Sequence, residues 1–217
     1  MQKLSSELKK KVGYQPIDLL QSHFDALALQ VRAWAGRRNR VLTLGIIGPA
    51  PKVGVTTVAL NLANSLAESS FSGQVALVEA ENASVNKQAS TSGLIDLLAR
   101  EKQLNDCLLS GWRENLKVLP FGKPEKSDAR TIHWAKLSDL VQRELASFDF
   151  VVFDLLPLSM SKFSHAIASQ LDGLILVCRP EGDQESELNH LRSFLRDYPV
   201  EILGKVINRS RETRRVH

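Results

Sequence analysis

Short apolar runs alternate along this chain with longer stretches of helical periodicity. The runs cover residues 41–47 (VLTLGII), 75–78 (VALV), 116–119 (LKVL), 150–153 (FVVF), 174–178 (LILVC) and 202–207 (ILGKVI). Between them the apolar spacing predicts helices near 56–68, 93–109, 133–147, 162–170 and 184–197. A strand covered on both faces has no polar side to show, so it reads as a continuous apolar run. Strands that alternate with helices are joined by right-handed crossovers, which makes the sheet mostly parallel. The expected architecture is an α/β, doubly wound, mostly parallel sheet of about six to seven strands with helices on both faces. Ahead of the first strand, residues 17–35 (IDLLQSHFDALALQVRAWA) repeat apolar positions at helical spacing and predict one amphipathic helix.

Charge divides the chain further. The 217 residues are 43% hydrophobic and 24% charged, with a net charge of +4, which is enough apolar material for a real core. Residues 1–40 hold eight Lys/Arg against three Asp/Glu, and 209–217 hold four against one. The body between them, 41–208, is therefore acidic by 4 charges. The expected organisation is a basic N-terminal extension with its helix (1–40), a body (41–208) and a basic tail (209–217). No aromatic residues interleave with Lys9-Lys10-Lys11 or with Arg209, Arg211, Arg214 and Arg215, which argues against a single-strand nucleic-acid surface and leaves solvated ends as the better reading. Cys107 and Cys178 form no disulfide framework, and neither they nor the five histidines show metal-ligand spacing. No apolar run reaches the roughly 18–20 residues that span a bilayer. The N-terminal lysines lead into no apolar segment of the secretory type. The cytoplasm is the expected compartment, with recruitment to the inner face of the membrane compatible with the basic ends.

Candidate chemistry sits after the first run, where open α/β sheets gather ligands. Gly48-Pro49-Ala50-Pro51-Lys52-Val53-Gly54-Val55-Thr56-Thr57 leads from a strand into a helix. That is the frame of a phosphate-binding loop, whose backbone N–H groups and helix N-terminus surround an anion. Against the pattern GxxxxGK[ST], Gly54 and Thr56 are in register. The lysine position holds Val55 and the leading glycine position holds Pro49.

From about residue 41 to 209 the chain resembles the MinD/ParA-like P-loop family, and within it the bacterial tyrosine kinases of capsular and exopolysaccharide synthesis. Gly54-x-Thr56-Thr57 followed by VALNLANSLA resembles that family's phosphate loop and helix. VALVEAEN (75–82), SGLIDLLAREKQLNDCL (92–108), NLKVLPFGKP (115–124), FDFVVFDLLP (148–157), LDGLILVCRPEGDQ and VEILGKVINR follow in the family's order. LPFG (119–122), Trp134 and Leu137-Ser138-Asp139 are also similar to the MinD-like accessory protein of cellulose secretion, whose loop lacks the lysine as well.

The resemblance implies roles residue by residue. Thr56 matches the hydroxyl that ligates Mg²⁺, with Thr57 beside it. Asp154 matches the carboxylate that holds the metal's water shell and takes part in catalysis. Glu79, a catalytic position, and Glu81, a metal position, stand where aspartates are expected. Each extra methylene carries the carboxylate about 1.5 Å further toward a metal with strict geometry. Asn208 and Arg209 match the adenine contact at the end of the last strand. Lys52 is the candidate for replacing the missing cation, and Val55 occupies that cation's place.

The implied cofactor is ATP or ADP with Mg²⁺, and the substitutions leave a chain without any cofactor as the alternative. Phosphoryl transfer depends on cations around the γ-phosphoryl group, and removing one such group costs a factor of about 10²–10³. The tyrosine cluster that serves the kinases as their own substrate is missing, since Tyr14 and Tyr198 are the only tyrosines. The family's ExxRxxR assembly pattern has no counterpart near Ser22, Asp25 and Ala28. The expected function is a degenerate, kinase-like regulatory or docking partner of the cytoplasmic part of an inner-membrane polysaccharide co-polymerase. A homodimer is compatible with this; a family-type octameric ring and nucleic-acid binding are not expected. The alternatives are a slow ATPase or tyrosine autokinase, and a ParA/MinD-type positioning protein.

Overall fold

A computed structural model describes residues 20–36, 38, 40–69, 73–80, 92–123, 133–180, 185–198 and 200–208. The elements in order are α1 (Gln21–Ala35), β1 (Leu42–Ile47), α2 (Val55–Glu68), β2 (Val75–Glu79), α3 (Leu94–Leu98), α4 (Leu104–Cys107) and β3 (Leu109–Ser110). They continue with β4 (Leu116–Leu119), a 3₁₀ turn (Trp134–Lys136), α5 (Leu137–Glu144), β5 (Phe150–Asp154), α6 (Lys162–Ala168), β6 (Gly173–Cys178), α7 (Glu185–Asp197) and β7 (Glu201–Ile207). The strands form one sheet of seven in the order β3-β4-β2-β5-β1-β6-β7. Every pairing is parallel except the short β3–β4 contact. The α/β, doubly wound class expected from periodicity is the observed one.

Alternation along β5 shows why the central strands read as unbroken apolar runs. Phe150 and Val152 face the layer holding α1 and α2, while Val151 and Phe153 face the layer holding α3, α5, α6 and α7. All four are buried. Both faces of the strand are dry, so no polar position interrupts it. β1 lies between β5 and β6 at the middle of this sheet, and its exit loop leads directly into α2.

The N-terminal helix is built into the body. Phe24, Ala28, Val31 and Ala35 are buried, an i, i+4, i+7, i+11 stripe that matches the helical period. They share a cluster with Leu62, Leu66 and the α2 face of the sheet. Polar contacts fix the crossing: Gln21 Nε2 donates to Glu68 Oε2 at 3.0 Å, and Arg32 Nη2 donates to the Leu66 carbonyl at 2.7 Å. Gly36, at φ 58, ends the helix.

Two expected helices are broken. The stretch 93–109 divides into α3 and α4, with Arg100 at φ 59 between them, and ends in the edge strand β3. The stretch 133–147 divides into a 3₁₀ turn and α5. At the start of α3 the Asp96 carboxylate accepts from the Gly93 N–H at 2.7 Å, satisfying an N-terminal donor, and also from Lys123 N–H at 3.0 Å.

Candidate phosphate loop and carboxylate pair

The loop between β1 and α2 is closed by apolar packing. Gly54 takes the left-handed conformation, φ 106, immediately before the helix begins. On either side of it Val53 is 1% exposed and Val55 is 9% exposed, and both belong to the α2 core. Their methyl groups converge on Gly48. A Cβ at Gly48 would collide with Val53 Cγ2 and sit 3.0 Å from Val55 Cγ2 and from the Val177 carbonyl. The side chain at the lysine position is therefore turned into the core and contributes bulk where a charge is expected.

The carbonyls of the loop are held from the ends of neighbouring strands. Arg179, just past β6, donates from Nη2 to the Lys52 carbonyl at 2.8 Å. Asn208, just past β7, donates from Nδ2 to the Val53 carbonyl at 2.8 Å. Its own backbone N–H is fixed on the Cys178 carbonyl at 2.8 Å. Lys52 has an exposed side chain on a left-handed backbone, φ 63. Asn208, expected as an adenine contact, places one of its two amide hydrogens on the loop. Arg179 lies within LDGLILVCRPEGDQ, one of the stretches that carry the resemblance, but no spacing singled it out for a role.

Beside the loop, the Thr56 hydroxyl and the Asp154 carboxyl come together in a hydrogen bond. Asp154 ends β5, in register with Ile46 of β1 and Glu79 of β2. Burial pushes its carboxyl up to about 7; a hydrogen bond from the Thr56 hydroxyl opposes the rise and the nearby Glu79 carboxylate adds to it. Glu79 is also raised by burial, against a hydrogen bond from the Phe121 N–H. Two carboxyls at adjacent strand ends disfavour each other's ionised form, which is the electrostatic situation a cation relieves. Thr57 lies on the first turn of α2 with its carbonyl bonded by Asn61 Nδ2 at 2.7 Å. Glu81 and Arg209 lie outside the described residues. Among the described residues no group of three His, Cys, Asp or Glu side chains is placed to hold a metal.

No family model matches the chain. A tyrosine-protein kinase, ptk, of Acinetobacter johnsonii is 24% identical over 180 residues, covering 81% of this chain and 24% of that protein. An uncharacterized ATP-binding protein of Methanocaldococcus jannaschii is 28% identical over 173 residues, covering 72% of this chain and 60% of that protein. The chain thus spans about a quarter of the first relative and 60% of the second. Among solved structures, the chimerical protein CapA2B2 superposes with a TM-score of 0.72 at 23% identity, over 94% of this chain and 90% of that one. The kinase domain of the Escherichia coli tyrosine kinase ETK gives 0.71 at 19% identity, over 88% and 77%. MinD from Pyrococcus horikoshii, complexed with Mg-ADP, gives 0.62 at 23% identity, over 78% and 72%. The fold is that of the bacterial tyrosine kinase and MinD-like P-loop proteins.

Within this P-loop fold the residues present fit a magnesium nucleotide only in part. Thr56 and Asp154 meet where a metal and its water shell would be held, so that half of the donor set is in place. The phosphate half is not: Val55 supplies no charge, and Val53 and Val55 fill the space above Gly48. No helix among the described residues is long and apolar enough to cross a membrane.

Proposed function

We propose that this chain is a degenerate, kinase-like P-loop module whose role is docking and regulation, with the cytoplasmic part of an inner-membrane exopolysaccharide co-polymerase as its partner. The observation that carries this reading is the burial of Val53 and Val55 over Gly48. A charge that follows the γ-phosphoryl group is replaced by packing, and a loss of about 10²–10³ in rate follows from one such replacement. The partner follows from the resemblance to the polysaccharide kinases, and regulation follows from a fold kept while its chemistry is weakened.

A second reading, a slow ATPase, is favoured by the preserved contact between Thr56 and Asp154. Lys52 would then supply the cation, and nucleotide would bind through the loop backbone and the helix N-terminus.

Calorimetry with ATP and ADP, with and without Mg²⁺, tests both readings, on the native chain and on Val55→Lys. Absence of binding in the native chain with gain in the variant supports the degenerate module. Binding in the native chain, with hydrolysis that Asp154→Ala and Lys52→Ala each abolish, supports the ATPase and overturns the first reading.

A further inference from the structure

The end of α3 carries an arginine where glycine is the usual residue. Glu101 N–H donates to the Asp96 carbonyl and Arg100 N–H donates to the Leu97 carbonyl, each at 2.9 Å. That pair of bonds is the Schellman closure of a helix, whose turning residue adopts the left-handed conformation and is most often glycine. Here it is Arg100, at φ 59. Glycine would adopt this backbone without the steric strain that a Cβ brings. A strained residue that persists directs attention to what its side chain does.

Arg100 stands on the lip of a groove of about 600 Å³ between the α3–α4 turn and α5. Leu97, Leu98 and Leu140, all buried, and the half-buried Leu104 line its floor beneath a largely polar wall. Among the lining residues, Arg100, Lys102, Lys136 and Arg143 stand around the lip with Asp139 and Glu144. Asp139 is already committed to Arg143, one turn along α5, at 3.2 Å. The lip is thus cationic on an otherwise acidic body, and Arg100 and Lys136 are both exposed.

We propose that this groove takes an acidic amphipathic segment of another protein, with apolar side chains on the leucine floor and carboxylates against Arg100 and Lys136. Apolar anchors in a groove supply affinity, and complementary charge at the rim sets partner choice. The groove lies on the sheet layer opposite α2, and none of its lining residues belongs to the phosphate loop or the carboxylate pair. The inference therefore stands whether or not the phosphate loop binds nucleotide.

Fluorescence anisotropy on the full chain tests it with labelled peptides of about sixteen residues, long enough for four helical turns. One peptide carries leucines at i, i+3/i+4 and i+7 with glutamates between; a second exchanges the glutamates for lysines; a third exchanges the leucines for serines. The acidic leucine peptide is expected to bind, and the other two to bind at least about tenfold more weakly. Arg100→Gly and Lys136→Glu should each weaken the acidic peptide by about fivefold or more, the scale of one charge contact at a rim. Arg100→Gly also relieves the backbone, so its melting temperature should hold or rise, which separates lost binding from lost fold. No binding of the acidic peptide at low salt overturns the proposal, as does binding that neither substitution weakens. Tighter binding of duplex DNA or phosphatidylserine vesicles, lost in the same variants, overturns it in favour of another anionic partner.

Discussion

The Asn208 side-chain amide donates to the Val53 carbonyl at 2.8 Å, tying the end of the last strand to the centre of the phosphate loop. With Arg179 on the Lys52 carbonyl, it latches two consecutive peptide units of the candidate phosphate loop.

Breaking that latch should loosen the loop before it loosens the domain. Lys52 is exposed, so trypsin can cut after it once the backbone opens. Asn208→Asp removes the donor and points a carboxylate at the Val53 carbonyl. Losing a bond of this kind costs on the order of 1 kcal/mol, or about fivefold in the population of the open loop. Mass spectrometry of early digests should show faster cleavage after Lys52 in Asn208→Asp and in Arg179→Ala. Unchanged cleavage in both would mean that packing of Val53 and Val55 alone holds the loop.

The carboxylate pair makes stability fall as the pH rises. Asp154 is raised to about 7 in the folded chain against an ordinary value of 3.8, so between these values the folded state holds a proton that the unfolded state has lost. Its contribution is complete below pH 3.8 and disappears as the pH climbs through about 7. Glu79, raised as well, acts in the same direction. The unfolding free energy from urea titration should decline from pH 5 by up to about 1.4 kcal/mol per pH unit from Asp154 and level off above about pH 7. Asp154→Asn, permanently neutral, should flatten that decline and exceed the native chain at pH 8. A native profile that rises over this range would contradict the shared burial of the two carboxyls.

Most of the sheet was legible in the sequence because β1, β2, β4, β5 and β6 are covered by helices over most of their length, and burial on both faces is what an apolar run records. The edge strand β7 was legible from its composition, although it is largely exposed. The short antiparallel β3 was not, since Leu109–Ser110 has too few residues to show a period. The break after α3 was hidden for a different reason: the turn is made by Arg100, a residue whose type carries no turn signal. At the site, Thr56 and Asp154 were placed by motif register. The latch by Arg179 and Asn208 depends on strands β6 and β7 ending beside a loop about 125 or more residues earlier in the chain, and only the sheet order brings those together.

Asp172 holds the other end of the sheet and should respond to pH in the opposite sense. Its carboxylate accepts from the Thr43 N–H and hydroxyl, each at 2.9 Å, and pairs with Arg40 through two bonds of 2.6 and 3.0 Å. Burial works against ionisation here, but the Arg40 and Thr43 bonds outweigh it and hold the carboxyl below the ordinary value. The stabilisation is therefore present above the unfolded value of 3.8 and is lost as the pH falls through the lower folded value. Asp172→Ala leaves the Thr43 donors unanswered and should cost roughly 1–3 kcal/mol at pH 7. The gap between variant and native melting temperatures should narrow toward pH 3. A gap that stays constant would assign the loss to packing.

The filling of the phosphate loop by valine can be measured directly through Gly48. Val53→Ala removes two methyl groups from a site that is 1% exposed and should cost about 1–2.5 kcal/mol through the cavity it leaves. Gly48→Ala places a methyl group into Val53 Cγ2 and should cost about 1–3 kcal/mol by overpacking. In the double variant the new methyl occupies space that Val53 has vacated, so the two losses should fall short of their sum by about 1 kcal/mol. The relief is incomplete, because the Val177 carbonyl still stands 3.0 Å from the added Cβ. Urea denaturation of the four chains supplies the cycle. Strict additivity would show that Val53 and Gly48 are not in contact in solution, leaving the loop open above Gly48 and removing the main support for a module that has given up its phosphate site.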